Sequence, residues 1–162
     1  MNQLQFSVEQ FLFHKAELCD RQAWDEYIDL FDEASEFHLP QWDSEHVYTT
    51  DPKREMSMIY YANRAGLEDR VYRVRTGKSA ASTPMPRTLH MINNVRIKEH
   101  SDAEVHVSAK WVTFHYRFGV AEHFFGDVNY KLKPAGNSWK ILRKHVILHN
   151  DTINAVLDFY HV

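Results

Sequence analysis

Eleven histidines and a single cysteine are the residues of this 162-residue chain with most to offer a metal ion or a nucleophilic reaction. Their spacing decides what they can do. His145 and His149 fall in one strand-like run, where four positions at about 3.3 Å each set them ~13 Å apart, too far to share an ion. His115 and His123 lie either side of Gly119 and could face each other across a turn, with His38 and either Glu122 or Asp127 completing the two-histidine, one-carboxylate set of a non-haem iron site. A histidine on a strand more often serves as a hydrogen-bonding residue, and no short motif distinguishes the two roles. A Rieske cluster is excluded from this chain, because it takes two cysteines with two histidines and Cys19 stands alone. Cys19 can form no internal disulfide either, and there is no nucleophile elbow, phosphate loop or dinucleotide-binding glycine motif. What remains is a general acid–base dyad of the kind a dehydratase or isomerase uses, drawn from Asp29, His38, His115 and Asp127. Asp29 sits just off an apolar stripe and Asp127 on the polar side of its strand, so both read better as solvated carboxylates.

Residues 104–149 would have to position these groups. They form three strand-like runs, EVHVSAKWVTFHYRF, VAEHFFGDVNYKLK and SWKILRKHVILH, of which the last two are parted by the turn at residues 133–137. Val105, Val107, Ala109 and Trp111 alternate with polar neighbours, but from Val112 the apolar set becomes Val112, Phe114, Tyr116 and Phe118. That change of phase calls for a β-bulge near Trp111 or a strand covered on both faces. Upstream, Ser7 and Gln10 form a capping box flanked by Phe6 and Phe11, which predicts a helix start there, with Val8, Phe11, Leu12, Lys15 and Cys19 along one stripe. Asp20 is placed to cap a second helix carrying Trp24, Tyr27, Ile28 and Phe31. Residues 35–40 read as a short edge strand ended by Pro40, and residues 41–55 as a long loop. A strand at 56–61 and a helix at 63–76, with Leu67, Val71 and Val74 inward and Gly77 as its stop, come next. Residues 78–86 read as an extended surface arm, residues 88–97 open the main sheet, and the apolar tail with Ile153, Val156, Leu157 and Phe159 is either helix or strand. Helices followed by a long meander give an α+β fold, a cone-like curved and mostly antiparallel sheet wrapped around N-terminal helices, in a single domain spanning residues 1–162. Such a cone can enclose a small-molecule pocket or fill the same space with aromatic side chains. Its inner face would close on the first two helices and leave an outer polar and aromatic face for contacts between subunits.

A net charge of −3 with no basic block offers no phosphate-binding face, so nucleic acid is not an expected partner. The first residues lack the basic and apolar regions of a signal peptide, and no run approaches the ~18 apolar residues of a membrane helix, which predicts a soluble, cytoplasmic protein.

Residues 59–77, IYYANRAGLEDRVYRVRTG, closely resemble the small, β subunit of bacterial aromatic-ring-hydroxylating dioxygenases. So do TPMPRTLH at 83–90 with Asn93-Asn94-Val95, ELCDR at 17–21 followed by Trp24, and Trp139-Lys140-Ile141 with Arg143-Lys144. The resemblance runs over essentially the whole chain. It implies a fold like that of nuclear transport factor 2 and scytalone dehydratase, with a β trimer beneath an α trimer in an α3β3 hexamer. It also implies that the Rieske 2Fe–2S cluster and the mononuclear Fe(II) lie in the large α subunit, and that a reductase brings electrons from NADH through FAD. No catalytic, cofactor-binding or metal-binding residue is then expected in this chain, whose role would be mainly structural. The YYxNRxGLEDR form and Gln41-Trp42-Asp43 resemble the branch acting on aromatic carboxylates, anthranilate first and benzoate or toluate next. A stand-alone dehydratase or isomerase, or a ligand-binding module without turnover, are the readings of other classes. Arg64, Arg70, Arg73, Arg75 and Arg87 either contact the α subunit or another β subunit, or form surface ion pairs with Glu68 and Asp69.

Overall fold

The computed structural model describes residues 2–154 and 156–162. Helix α1 (Asn2–Asp20) buries Val8, Phe11, Leu12, Lys15 and Cys19 on one stripe, as the spacing predicts. It begins five residues before the capping box. Ser7 lies inside the helix, and its Oγ accepts from Trp139 Nε1 at 2.9 Å, a tertiary contact in place of a cap, while Phe6 is exposed rather than stapled. Helix α2 (Trp24–Asp29) has no side-chain cap. Asp20 instead turns its carboxylate to the sheet, taking the Thr88 hydroxyl at 2.9 Å and the His90 N–H at 3.0 Å.

Strand β1 (Phe31–Pro40) takes in Phe31, expected on the second helix, and it is not an edge strand. The sheet order is β2 (Ser57–Tyr61), β1, β6 (Ser138–Leu148), β5 (Val120–Ala135), β4 (Val105–Arg117), β3 (Arg87–His100), so the open edges are β2 and β3. β1 runs parallel to β6 and antiparallel to β2, and the other pairings are antiparallel. Pro40 is tolerated inside the sheet because it is the last residue of its strand, at a register slip between Leu39 and Pro40 that relieves the need for its missing N–H. Residues 41–55 form the expected irregular excursion, tied down where the Trp42 indole donates to the Leu148 carbonyl at 2.6 Å.

Helix α3 (Arg64–Arg75) starts on Asn63, whose side chain accepts from the Ala65 N–H at 2.9 Å, and buries Leu67, Val71 and Val74. Residues 78–86 are no loose arm. A 3-10 turn at Ala80–Ser82 places the buried Ser82 hydroxyl 2.9 Å from that of Tyr160, and the Arg117 guanidinium donates to the carbonyls of Ala80, Ala81 and Thr83 at 2.7, 2.7 and 3.0 Å.

The phase change at Trp111 has a simple resolution. The β4–β5 register is unbroken from Val105 opposite Leu132 to Arg117 opposite Val120, so there is no bulge in this pair. The inner face continues with Trp111, Thr113 and His115, all buried, and the apolar residues Val112, Phe114 and Tyr116 point outward. A register slip does lie beside Trp111, but in the pairing with β3, between Asn93, opposite Lys110, and Arg96, opposite Ser108, where Asn94 has a positive φ of 53°. Gly126, opposite Trp111 and beside Leu148, is required by close approach: a Cβ there would collide with the Ile147 carbonyl oxygen. The described residues of the tail from Ile153 are neither helix nor strand until a 3-10 turn at Phe159–His161, which carries Phe159, Tyr160 and His161 into the core. There Phe159 meets Trp24 edge-on at 5.2 Å and Tyr27 at 5.9 Å, closing an aromatic cluster that continues through Phe31 to Phe37.

Candidate functional site

The proposed histidine set does not come together. His115 lies opposite Glu122, and His123 lies opposite Phe114, so strand alternation sends the two histidines to opposite faces. His38 is across the sheet on β1, stacked on His145 at 5.1 Å and hydrogen-bonded to the Ser57 hydroxyl at 3.1 Å. Asp127 is engaged by Lys110 and by His149, the latter at 3.1 Å, and Asp29 is exposed at the end of α2. Among the described residues no group of three His, Cys, Asp or Glu side chains is placed to hold a metal ion.

Sequence reasoning missed one linear arrangement, Cys19–His90–Asp20. The Cys19 sulfur is 3.8 Å from His90 Nε2, and His90 Nδ1 is 2.5 Å from the Asp20 carboxylate. Burial would pull the His90 imidazole down, yet Cys19 and Asp20 outweigh it and push it up to about 8. Burial likewise would raise the Cys19 thiol, and His90, with Lys15 and Lys144 behind it, brings it below the usual thiol range. This is nucleophile, base and orienting acid in the right order, but Cys19 is only 2% exposed and the interior void beside His90 is about 10 Å³, room for one water-sized sphere. The same void is lined by two buried lysines. Burial alone would lower Lys15, but Tyr130 and Cys19 hold its ammonium above the usual range. Lys144 is pushed well below it by burial and by Lys15, and its Nζ donates to the main-chain oxygen of Val162 at 2.9 Å. The cone interior is filled by a polar network and aromatic rings, with no space for a substrate at Cys19.

Two further histidines make the fold sensitive to acid. His161 is pushed down to about 3, first by burial and then by His115, His90 and Arg117, and His145 to about 4, first by burial and then by Arg143 and His38. Both stay neutral in the folded chain while an unfolded chain takes up protons near 6.5, so the stability they contribute is complete above pH 6.5 and is lost as pH falls toward their folded values. Urea titrations between pH 6.5 and 4.5 are expected to show a loss of roughly 2 kcal/mol from His161. His161→Asn keeps an acceptor for the Asp158 N–H without titrating. It should flatten that part of the profile, and an unaltered profile would show that His161 is not the group responsible.

The arginine cluster is largely spoken for within the chain. Arg64 pairs with Glu68 at 2.8 Å, Arg73 with Asp69 at 2.9 Å and Arg75 with Asp25 at 2.9 Å, and Arg70 grips Asp158 through two nitrogens. Arg87 is exposed and makes no ion pair among the described residues. The surface best suited to a partner lies on the outer face of β3, β4 and β5. Leu89 faces Phe114 across the ladder, Met91 faces Val112, and Val112 faces Phe125. Leu89 is 53% exposed, Phe114 44%, Tyr116 47% and Phe125 41%, a contiguous apolar strip of the kind that marks an interaction surface.

Residues 14–155 match the family described as "Ring hydroxylating beta subunit". The chain belongs to that family. Over 160 residues it is 51% identical to the anthranilate 1,2-dioxygenase small subunit of Acinetobacter baylyi, covering 99% of this chain and 98% of that protein. The crystal structure of the benzoate 1,2-dioxygenase β subunit from Burkholderia mallei superposes with a TM-score of 0.80 at 35% identity, covering 96% of this chain and 95% of that one. The cone fold extends beyond the β subunits: a scytalone dehydratase-like protein from Novosphingobium aromaticivorans gives a TM-score of 0.68 at 16% identity, over 95% and 92% of the two chains. The α+β architecture of this β-subunit chain is thus a six-stranded, open, mixed sheet that shares the cone fold of those proteins. No helix of the described residues is long and apolar enough to cross a membrane.

Proposed function

We propose that this chain is the small subunit of a two-component dioxygenase that converts anthranilate to catechol with loss of ammonia and carbon dioxide. The observation that carries this reading is the 51% identity over 99% of the chain to an anthranilate 1,2-dioxygenase small subunit. Its role is assembly. One cysteine does not fit a Rieske cluster, and the scattered histidines and carboxylates do not fit a mononuclear iron, so both centres are assigned to a large subunit and the electrons to a reductase that uses NADH and FAD. The outer strip of β3, β4 and β5 supplies the apolar surface for subunit contacts, in an α3β3 hexamer built on a β trimer, and the whole chain acts as a single domain in the cytoplasm.

Co-expression with the large subunit, followed by turnover assays with reductase, NADH and O₂, tests the reading. Anthranilate is expected to be consumed faster than benzoate by the complex, with neither iron nor turnover in this chain alone. Faster turnover of benzoate would move the assignment to the benzoate or toluate branch, and iron or activity in the isolated chain would sink the assembly role.

A further inference from the structure

The register slip in β3 changes what that strand presents on the outer face of the sheet. Up to Asn93 the odd-numbered residues point outward, with Leu89, Met91 and Asn93 opposite Phe114, Val112 and Lys110. Continued unbroken, that alternation would expose Val95 and Ile97. The slip instead sets Arg96 opposite the outward Ser108, so Val95 and Ile97 turn to the core while Arg96 and Lys98 turn out. The apolar strip thus gives way, along one strand, to a basic stretch.

Arg96 and Lys98 line the β3 side of a surface groove of about 600 Å³ that also takes in Lys110, with Trp42 and Tyr48 on its β6 side. Asp127 is the only carboxylate among the described residues of the lining, and it is shared by Lys110 and His149. Arg96 and Lys98 are exposed and make no ion pair or side-chain hydrogen bond among the described residues. The groove is left with excess positive charge. The opposite charge stands on a rigid mount in the same chain. Trp42 and Tyr48 form an antiparallel bridge with their rings edge-on at 5.5 Å, and between them the N–H groups of Asp43 and Ser44 donate to the Val47 carbonyl at 2.7 and 3.1 Å. Asp43, Glu45 and Val47 stand exposed on the tip so formed, and neither carboxylate has an ion pair or side-chain hydrogen bond among the described residues.

We propose that the groove receives the tip at residues 43–47 of a second copy of this chain, Asp43 and Glu45 pairing with Arg96 and Lys98 and Val47 adding the apolar contact. Within one chain the root of the tip lines the groove, yet the two carboxylates and the two cations stay apart. They complement each other between copies. A tip of one copy in the groove of the next is a head-to-tail contact, the kind that closes into a ring when the rotation allows. Exposed ion pairs are weak singly, so the strength comes from several acting in one groove and from a tip whose bridge and turn leave little to order on docking. The presence of neighbouring copies rests on the trimer of the proposed function, whereas the choice of surface rests on the charges.

Sedimentation velocity on the isolated full chain, over a range of concentrations at low and high salt, reads the contact. Self-association is expected, about tenfold weaker or more at high salt, because the charges involved are exposed and screened. Arg96→Glu/Lys98→Glu and Asp43→Lys/Glu45→Lys should each weaken it by about tenfold or more, and circular dichroism checks that these surface changes leave the fold intact. The quadruple variant, with both sides reversed, is expected to recover association, which charges that are merely solvated would not do. Self-association untouched by either double variant, or no recovery in the quadruple, would overturn the contact while leaving the trimer standing. A chain that is monomeric at every concentration would overturn both. Loss of assembly with the large subunit in Arg96→Glu/Lys98→Glu, with self-association intact, would overturn the second copy as occupant and give the groove to the large subunit. Turnover of anthranilate against benzoate is read separately, so a change of substrate branch does not touch this result.

Discussion

Phe114→Asp is expected to reduce assembly with the large subunit by about 100-fold or more, a cost of roughly 3 kcal/mol, while leaving the isolated chain folded. The two halves of that expectation come from one fact. Phe114 projects from the outer face of β4 and is already 44% exposed, so a carboxylate there stays in water in the isolated chain and disturbs no core packing. In an interface built on the strip it would lose its water between Leu89 and His123, its cross-strand neighbours. Light scattering on the co-purified subunits reads the result, and thermal unfolding of the variant alone supplies the control. A complex of normal size and concentration dependence would show that the contacts lie elsewhere on the surface.

The second large effect concerns Arg70. The sequence leaves it among five arginines that either contact a partner subunit or form surface ion pairs with Glu68 and Asp69, and in the structure both its Nε and a terminal nitrogen are committed to Asp158, whose side chain is 5% exposed. Asp158 also caps the final 3-10 turn by accepting from the Phe159 N–H at 2.8 Å. Arg70→Ala leaves a buried carboxylate without its cation, and about 3 kcal/mol of unfolding free energy is expected to go with it. The Arg70→Ala/Asp158→Asn double variant should recover part of that loss, since an amide is cheaper than a carboxylate to bury unpaired. Urea denaturation of the four proteins of the cycle measures the coupling. Additive losses in the double variant would mean that the pair is only a surface contact.

Local patterns carried much of the fold. The stripe on α1, the Asn63 start of α3 and the β4–β5–β6 meander follow from periodicity and turn residues, which act over a few positions and are visible in a single sequence. What failed was long-range or depended on one face winning over another. Ser35–Pro40 looks like an edge because proline usually marks one, yet β1 finds a parallel partner more than a hundred residues later, and the slip at Pro40 absorbs the missing donor. The Ser7 box has the right letters, but Trp139 claims the serine hydroxyl. At Trp111 the apolar letters change phase while the chain does not. Polar Thr113 and His115 are carried inward and Val112, Phe114 and Tyr116 outward, because an unbroken ladder outweighs the preference of individual side chains. That inversion is what places a histidine on the inner face and an aromatic strip on the surface, so the candidate interface sits where the hydrophobic pattern is violated. The Cys19–His90–Asp20 line was hidden for the simpler reason that His90 is some seventy residues from the other two.

The parallel pairing of β1 with β6 also sets an order of events during synthesis. β1 can find β2 soon after it leaves the ribosome, but its other edge stays open until residues 141–145 have been made, near the end of the chain. The same wait applies to Ser7, whose partner is Trp139, and to Arg70, whose partner is Asp158. For most of translation the N-terminal half is therefore an apolar helix and an unfinished sheet edge, held from completion by contacts of large sequence separation, the kind that slow folding. At β1 the nascent chain's hazard is edge-to-edge association with its neighbours on the same message, and β6, the last strand to emerge, is the one that covers that edge.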